Sequence, residues 1–192
     1  MSVTITIDVS IYGTPPPKRF TDRTAMLNIG NVVRDMIVTR TLAGQDADGN
    51  AFANYSTEPT YISKGTGTGT GARLAPKGGR VSRTGRSVYY AGGYREFKQL
   101  SRKPGQAPRG GATSGPTSEV DLTLSGQLMR SIEVAQADED SVVIQTGPGT
   151  VDYAAAVNER RRFMGLTPAN LRTLDEVVLD EIEKAMGRMA RR

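Results

Sequence analysis

The sequence predicts an α+β domain in which a small antiparallel sheet is packed by a long N-terminal-half helix and a C-terminal helix. Val3 to Ile11 alternate apolar and polar residues, which is the pattern of a strand that buries one face. The segments from about Thr21 to Ala43 and from Pro168 onward each carry one apolar stripe at helical spacing. A long Gly/Pro/Arg-rich insertion lies between the two helices.

Composition limits the chemistry that the chain can perform. Its 192 residues fit one domain, 1–192, and contain no Cys, His or Trp. Disulfides, thiolate nucleophiles, imidazole bases and Cys/His metal sites are therefore excluded, and we expect no enzyme activity, no cofactor and no metal. No apolar run approaches the ~20 residues that span a bilayer, and the polar N-terminus does not resemble a signal peptide, so we expect cytoplasmic folding without a membrane.

The first helix has clear predicted ends. Thr21 or Asp22 offers the N-cap oxygen, and Gly44 supplies the residue after the C-cap. One face is apolar and comprises Met26, Ile29, Val33, Met36 and Ile37. Gly30 lies in the middle at a cost of about 1 kcal/mol relative to Ala. Either another element approaches its backbone closely, or the helix simply tolerates it.

The loop from Gln45 to Ser56 contains acidic residues that invite comparison with a calcium site. An EF-hand loop beginning at Asp46 needs Gly at position 51 and an acid at position 57, but these positions are Ala and Thr. The loop is better explained as an Asp-Gly turn, with Phe52 and Tyr55 packing back on the core.

Residues 64–118 are predicted to form a basic, flexible insertion within the domain. The run "GTGTGTG" followed by "PKGGR" matches neither a Walker nor a dinucleotide-binding pattern, so a flexible insertion is the better interpretation. Within it, Val88 to Tyr90 favours a short strand. Gly93 to Leu100 favours a helical turn with one apolar stripe, and Ser101 to Ser118 favours a mobile loop.

Charge is distributed unevenly along the chain. The net charge is +5, but residues 73–109 hold ten basic residues and one acid, a net +9, which leaves −4 on the remainder. A second basic cluster lies near residue 160. The candidate partner-contact residues are Arg73, Lys77, Arg80, Arg83, Arg86, Arg95, Lys98, Arg102, Lys103, Arg109, Arg160, Arg161 and Arg162.

A junction follows the insertion. In "VDLTLSGQLMRSI", Ser125 is a candidate N-cap for a helical turn carrying Leu128 and Met129, and a strand begins at Ile132. Strands Ile132 to Gln136 and Val142 to Thr146 then flank an acidic hairpin tip. We expect this hairpin to share one sheet with the N-terminal strand.

Two helices complete the chain. Tyr153 to Glu159 forms a short helix, and in the last helix Thr167 is the N-cap, Pro168 occupies N1 and Leu166 packs on Leu171. The last helix is expected to pack on the sheet. Its predicted buried face comprises Leu171, Leu174, Val178, Ile182, Ala185 and Met189.

The order "DLTLSGQLMRSI", strand pair, "YAAAVNERRRFMGLTPANLRTL" resembles the tailed-phage morphogenesis proteins, namely the tail completion and head-tail joining (neck) families. Upstream, "RTLAGQDADGNAFANYS" and "GGYREFKQ" are similar to the same families. The resemblance covers Arg40 to Leu174, apart from the region between Lys64 and Tyr89. It implies a homo-oligomeric ring, with a hexamer favoured and a dodecamer possible, that performs no covalent chemistry.

The resemblance also implies the partners: neighbouring neck, connector or tail-tube proteins, with DNA only as cargo passing through the channel. The protein would belong to the tail or neck of the virion, after assembly in the host cytoplasm, as a tail completion, tail terminator or neck component. The alternative from the residues alone is a nucleic-acid-binding protein that uses the basic 73–109 arm. There Arg and Lys would neutralise phosphates while Tyr89, Tyr90, Tyr94 and Phe97 stack on bases.

Overall fold

Residues 3–8, 22–63, 79–101, 122 and 127–190 are described by the computed structural model. They form two small antiparallel sheets and five helices, which confirms the predicted α+β class. The strands are β1 Thr4–Asp8, β2 Thr60–Ser63, β3 Arg80–Val81, β4 Ser87–Tyr90, β5 Ile132–Ala137 and β6 Ser141–Thr146. The helices are α1 Arg23–Leu42, α2 Gly93–Ser101, α3 Gln127–Arg130, α4 Val151–Arg160 and α5 Pro168–Ala190.

The first sheet has the strand order β1-β6-β5, so the N-terminal strand and the hairpin share one antiparallel sheet as predicted. Ile5 lies opposite Ile144 and Ile7 lies opposite Val142, which gathers the apolar residues of both strands on one face. A β-bulge follows Val134. Residues 9–11 of the predicted strand lie outside the described residues.

Helix α1 covers the apolar face of this sheet. Asp22 is its N-cap, since its carboxylate accepts a hydrogen bond of 2.8 Å from the Ala25 amide, and Gly44 follows the helix with φ of 83°. A Cβ at Gly30 would lie 2.6 Å from Val142 Cγ2. Of the two explanations for this glycine, close approach is therefore the right one, because the sheet touches the helix backbone there.

The junction forms as predicted where it is described. Leu128 and Met129 on α3 are buried in the main core, and β5 begins two residues after α3. Leu122 is also buried, with φ of 51°, whereas Ser125 lies outside the described residues.

Helix α5 differs from its prediction in both its packing partner and its buried face. The Thr167 hydroxyl accepts a hydrogen bond of 3.0 Å from the Asn170 amide, which confirms the N-cap. The helix packs mainly against α1, which covers the sheet's apolar face, and its Leu174 belongs to the same core as the sheet residues. Leu174 and Ala185 are buried, but the predicted core residue Leu171 is 48% exposed, and Glu181, which was not predicted to be buried, is buried. The side chain of Met189 lies outside the description.

The second sheet has the strand order β2-β4-β3, and α2 packs against it. Its small core contains Val88, Tyr90 and Phe97. Within the predicted 64–118 insertion, the short strand at Val88 to Tyr90 and the helix from Gly93 are confirmed, and these three side chains give residues 79–101 a small core of their own. Residues 64–78 and 102–118 lie outside the described residues.

Candidate functional site

The predicted contact residues fall into three places. Arg80, Arg83 and Arg86 are exposed in and beside the β3–β4 hairpin, while Arg95 and Lys98 lie on α2. The third place is the end of α4, where Arg160 to Arg162 lie. The remaining predicted contacts lie outside the described residues: Arg73, Lys77, Arg102, Lys103 and Arg109.

Tyr55, in the loop that follows α1, brings two of these places together. Lys98 Nζ lies 4.9 Å from the centroid of the Tyr55 ring, and Arg161 Cζ lies 4.8 Å from the same centroid. Both distances are within the range of cation–π attraction. One ring thus contacts a cation from α2 and a cation from the end of α4, which lie 63 positions apart in the sequence.

Several backbone contacts hold the Tyr55 loop against α2 and α4. Arg161 Nη2 donates to the Ala53 carbonyl at 3.0 Å, and the Arg95 amide donates to the Ser56 carbonyl at 3.1 Å. At the start of α2, Gly93 has φ of 68°, and a Cβ there would lie 2.4 Å from the Glu58 carbonyl oxygen. The close approach of the loop therefore requires glycine at position 93.

A cavity of about 600 Å³ opens beside Tyr55. Its lining includes three tyrosines and three cations, and none of the described lining residues is acidic. We call this cluster the Tyr55 site, and its charged and aromatic members are Tyr55, Tyr94, Tyr153, Lys98, Arg160 and Arg161. A concave surface with this lining suits an anionic group.

The hydroxyls of Tyr94 and Tyr153 remain donors near neutral pH. Burial raises the pKa of Tyr94, with a smaller contribution from Tyr153, while Arg161 acts in the opposite direction. Burial also raises the pKa of Tyr153, again opposed by Arg161. Both groups therefore keep their protons at pH 7 and can donate to an anion.

A second cavity, of about 810 Å³, lies between α1 and the start of α5, but its cation is already used. Arg40 is buried, and its Nη1 donates to the Gly165 carbonyl at 2.8 Å and to Asn170 Oδ1 at 3.1 Å. Its Nη2 donates to the Phe163 carbonyl. Burial lowers the pKa of Arg40, although Asp46 and Asp48 partly oppose the shift. The hydrogen bonds of Arg40 therefore connect α1 to the start of α5, and this cavity is a weaker candidate for a binding site.

Sequence reasoning did not single out Arg40, although its spacing contained a signal. Val33, Ile37 and Arg40 are separated by four and three residues, which places all three on the buried face of α1. A basic residue that continues an apolar face has to find acceptors in the interior. The segment between α4 and α5 supplies those acceptors.

The fold buries two of the four aromatic residues that were proposed for base stacking. Tyr90 and Phe97 are buried in the second core, with ring centroids 5.5 Å apart, so they cannot stack on bases while the sheet is folded. That part of the nucleic-acid hypothesis is wrong. Tyr61, which sequence reasoning did not propose, is 63% exposed and lies 5.1 Å from Tyr89 between ring centroids.

Among residues 3–8, 22–63, 79–101, 122 and 127–190, no three His, Cys, Asp or Glu side chains are grouped to hold a metal ion. In the same ranges, no helix combines the length and apolarity needed to cross a membrane. Comparison with protein-family models finds no match, and comparisons with the curated proteins and with solved structures find no significant match either.

Proposed function

We propose that the protein is a non-enzymatic structural subunit of a tailed-phage particle, located at the head-tail interface or the tail end. In this proposal it forms a homo-oligomeric ring, a hexamer or a dodecamer, between neighbouring neck, connector or tail proteins. The order of the motifs that resemble the tail completion and head-tail joining families supports this class of assembly. DNA would pass through the ring without being bound as a specific ligand.

The observation that carries the proposal is an apolar surface on α5. Leu171, Leu179 and Met186 are 48%, 60% and 52% exposed. Their spacings of eight and seven residues keep them on one side of the helix. We call these three residues the α5 stripe. Exposed large apolar residues grouped on one surface are typical of sites that another protein covers.

Charge supports the same interpretation. The Tyr55 site contains three cations, of which Lys98 is buried, Arg161 is half-buried and Arg160 is exposed, whereas Asp138, Glu139 and Asp140 at the tip of the β5–β6 hairpin are all exposed. A subunit with an apolar stripe and separate surfaces of opposite charge has the features needed for contact with copies of itself.

The mass of the purified protein at physiological salt tests the proposal directly. We expect a native mass that is an integer multiple of the 20.6 kDa chain, together with rings in electron micrographs. Leu179→Asp should lower the oligomer fraction without unfolding the subunit, because it places a charge in the stripe. Thr173→Asp is the matched control, since it adds the same charge to an exposed position of the same helix.

A second experiment tests where the protein lies in the particle. Labelled protein added to tails or heads that lack it should appear at the joint or at the tail end, and it should restore complete particles. A monomer at all concentrations tested, together with particles that carry no label, would contradict the proposal.

Nucleic-acid binding is the second candidate, and one observation favours it. Across the second sheet, Arg80 lies opposite Tyr89, and Tyr89 lies opposite Tyr61. This row places an exposed cation beside an aromatic pair, an arrangement that stacks on single-stranded bases in other proteins. Salt-sensitive binding of a labelled oligonucleotide that is lost in Tyr61→Ala and Arg80→Ala would put this function first.

A further inference from the structure

The Tyr55 site and the acidic hairpin lie toward opposite ends of the subunit. Along α1, Gly30 is approached by Val142, Arg34 Nε donates to the Ile132 carbonyl at 2.8 Å, and Arg40 bonds the segment that follows α4. Ten residues of helix separate Gly30 from Arg40, a distance of about 15 Å. Val142 lies next to the hairpin tip, while Arg161 lies in the segment beyond the other end of the sheet.

This arrangement places positive charge at one end of the subunit and negative charge at the other. One end carries three cations around a concave aromatic site, and the other end carries three carboxylates on a narrow turn. The tip cannot fold back onto its own site across the length of the sheet. It can reach the same site on another copy, and a head-to-tail contact of that kind generates a ring when the rotation closes.

We propose that the acidic tip, defined as Asp138, Glu139 and Asp140, binds in the Tyr55 site of the neighbouring copy, an inference that rests on the proposed ring. The exposed Arg160 and the half-buried Arg161 would pair with the carboxylates in charge-assisted hydrogen bonds, while the buried Lys98 adds its positive charge to the site. The hydroxyls of Tyr94 and Tyr153 supply further donors.

The shapes of the two surfaces suit each other. The hairpin turn is tight, since the Asp138 amide donates to the Ser141 carbonyl at 2.8 Å, and Gln136 Nε2 fixes the Asp138 carboxylate at 2.7 Å. The cavity of about 600 Å³ lies in the size range that accommodates ligands of several side-chain volumes. The tip therefore presents its charge on a small, preformed projection that fits the cavity.

Arg160 is the cation best suited to a test. It is exposed and lines the cavity, and no described carboxylate forms an ion pair with it. Arg162, two positions on, is also exposed but pairs with Asp48 at 2.9 Å and does not line the cavity. A change at Arg160 can thus be compared with the same change at Arg162.

The absence of cysteine from the chain allows a direct cross-linking test. Subunits with Asp140→Cys are mixed with subunits with Arg160→Cys and oxidised, and each variant is also oxidised alone. We expect a disulfide-linked dimer in the mixture. Since a disulfide requires Cα atoms within about 7 Å, its formation would show that the acidic tip reaches the Tyr55 site of the neighbouring copy. Asp140→Cys mixed with Glu176→Cys, on an exposed part of α5, should give no such dimer above the background of the single variants.

Charge reversal tests the energetics. Arg160→Glu and Asp140→Lys should each weaken self-association by about tenfold or more, and the two changes together should restore most of the loss. Arg162→Glu should have a much smaller effect. The dissociation constants come from sedimentation at two salt concentrations, and the difference between parent and Arg160→Glu should shrink at high salt.

The outcomes separate this inference from the function on which it rests. A monomeric parent protein overturns both. An oligomer that yields no Asp140–Arg160 cross-link, and that is insensitive to both reversals, overturns the contact but leaves the ring. If Arg160→Glu abolishes oligonucleotide binding while self-association is unchanged, the site binds nucleic acid and the inference is wrong.

Discussion

The two sheets have the same number of strands but are stabilised by different kinds of side chain. The first sheet buries aliphatic residues such as Ile144 and Val142 beneath α1, within a core that also includes residues of α3, α4 and α5. The second sheet buries Tyr90 and Phe97 with one valine, and α2 packs on it. The main core is built from distant segments of the chain, whereas the buried residues of the second core all lie between Val88 and Phe97, with the partly buried Ile62 of β2 packed against them.

This difference assigns separate roles to the two sheets. The first sheet determines whether the chain folds, because most buried apolar residues lie in its core. The second sheet positions α2, and through α2 it positions Lys98 and Tyr94 at the Tyr55 site. We therefore expect damage to the first sheet to be global and damage to the second sheet to be local.

The largest effect is expected at the centre of the first sheet. Ile144→Asp should prevent cooperative folding, because an unpaired carboxylate at a fully buried position costs about 4 kcal/mol or more. Val143→Asp, one residue away on the opposite face, is the matched control and should fold. Thermal denaturation followed by circular dichroism distinguishes them, and equal melting temperatures would contradict the assignment of faces.

Helix α5 provides the next comparison, since it joins the main core through α1. Leu174→Asp should cost about 3 to 5 kcal/mol because Leu174 is buried, whereas Leu179→Asp should cost less than about 1 kcal/mol because Leu179 is exposed. Urea denaturation of both variants measures the difference. A Leu179→Asp subunit as unstable as Leu174→Asp would show that the helix has the other orientation.

The second sheet should be damaged without loss of the first. Tyr90→Ala removes the fully buried ring of the smaller core, a change worth about 3 to 5 kcal/mol to that unit. Hydrogen exchange should show faster exchange over residues 79–101 and little change in β6, while Tyr61→Ala should leave both regions protected. Simultaneous loss of protection in both sheets would show that they form one cooperative unit.

The Tyr55 site links the two regions, and alkaline pH should weaken that link. The folded-state pKa of Tyr94 is raised above its usual value of about 10. The contribution of its neutral hydroxyl to the free energy of unfolding is therefore full below pH 10 and is lost as pH rises through the folded pKa. Tyr94→Phe should reduce the dependence of the denaturation midpoint on pH in this range. An unchanged pH dependence would contradict the assignment.

The smallest effect is expected at the surface. Glu176 is exposed on α5, so Glu176→Gln should change the free energy of unfolding by less than about 0.5 kcal/mol. The same urea titration measures this change. A larger effect would show that Glu176 belongs to an interaction beyond the single subunit.

Local patterns predicted most elements of the first sheet and its helices. The alternation of β1, the Asp22 and Thr167 caps and the acidic hairpin tip all depend on neighbouring residues, and the structure confirms them. The orientation of α5 could not be read in the same way. Apolar residues occur around more of this helix than α1 can cover. The sequence alone therefore did not decide that Leu174 and Ala185 are buried while Leu171 is exposed.

The second sheet and the Tyr55 site depend on contacts between distant residues. β2 and β3 have four and two residues, too few for a periodic pattern, and they exist through pairing with β4. Lys98 and Arg161 were each proposed as contacts, but their meeting at Tyr55 could not be inferred from their spacing. The buried Glu181 was also missed, and its carboxylate lies 3.1 Å from Lys184 Nζ one turn along the helix.

The buried Arg40 has a mechanical consequence. Its guanidinium joins the end of α1 to the Phe163 and Gly165 carbonyls and to Asn170 in the first turn of α5. Displacement of α5 relative to α1 would have to break the hydrogen bonds that Arg40 donates to these acceptors, in addition to the packing between the two helices. Arg40 therefore restrains the start of α5 against sliding or rotating relative to the end of α1.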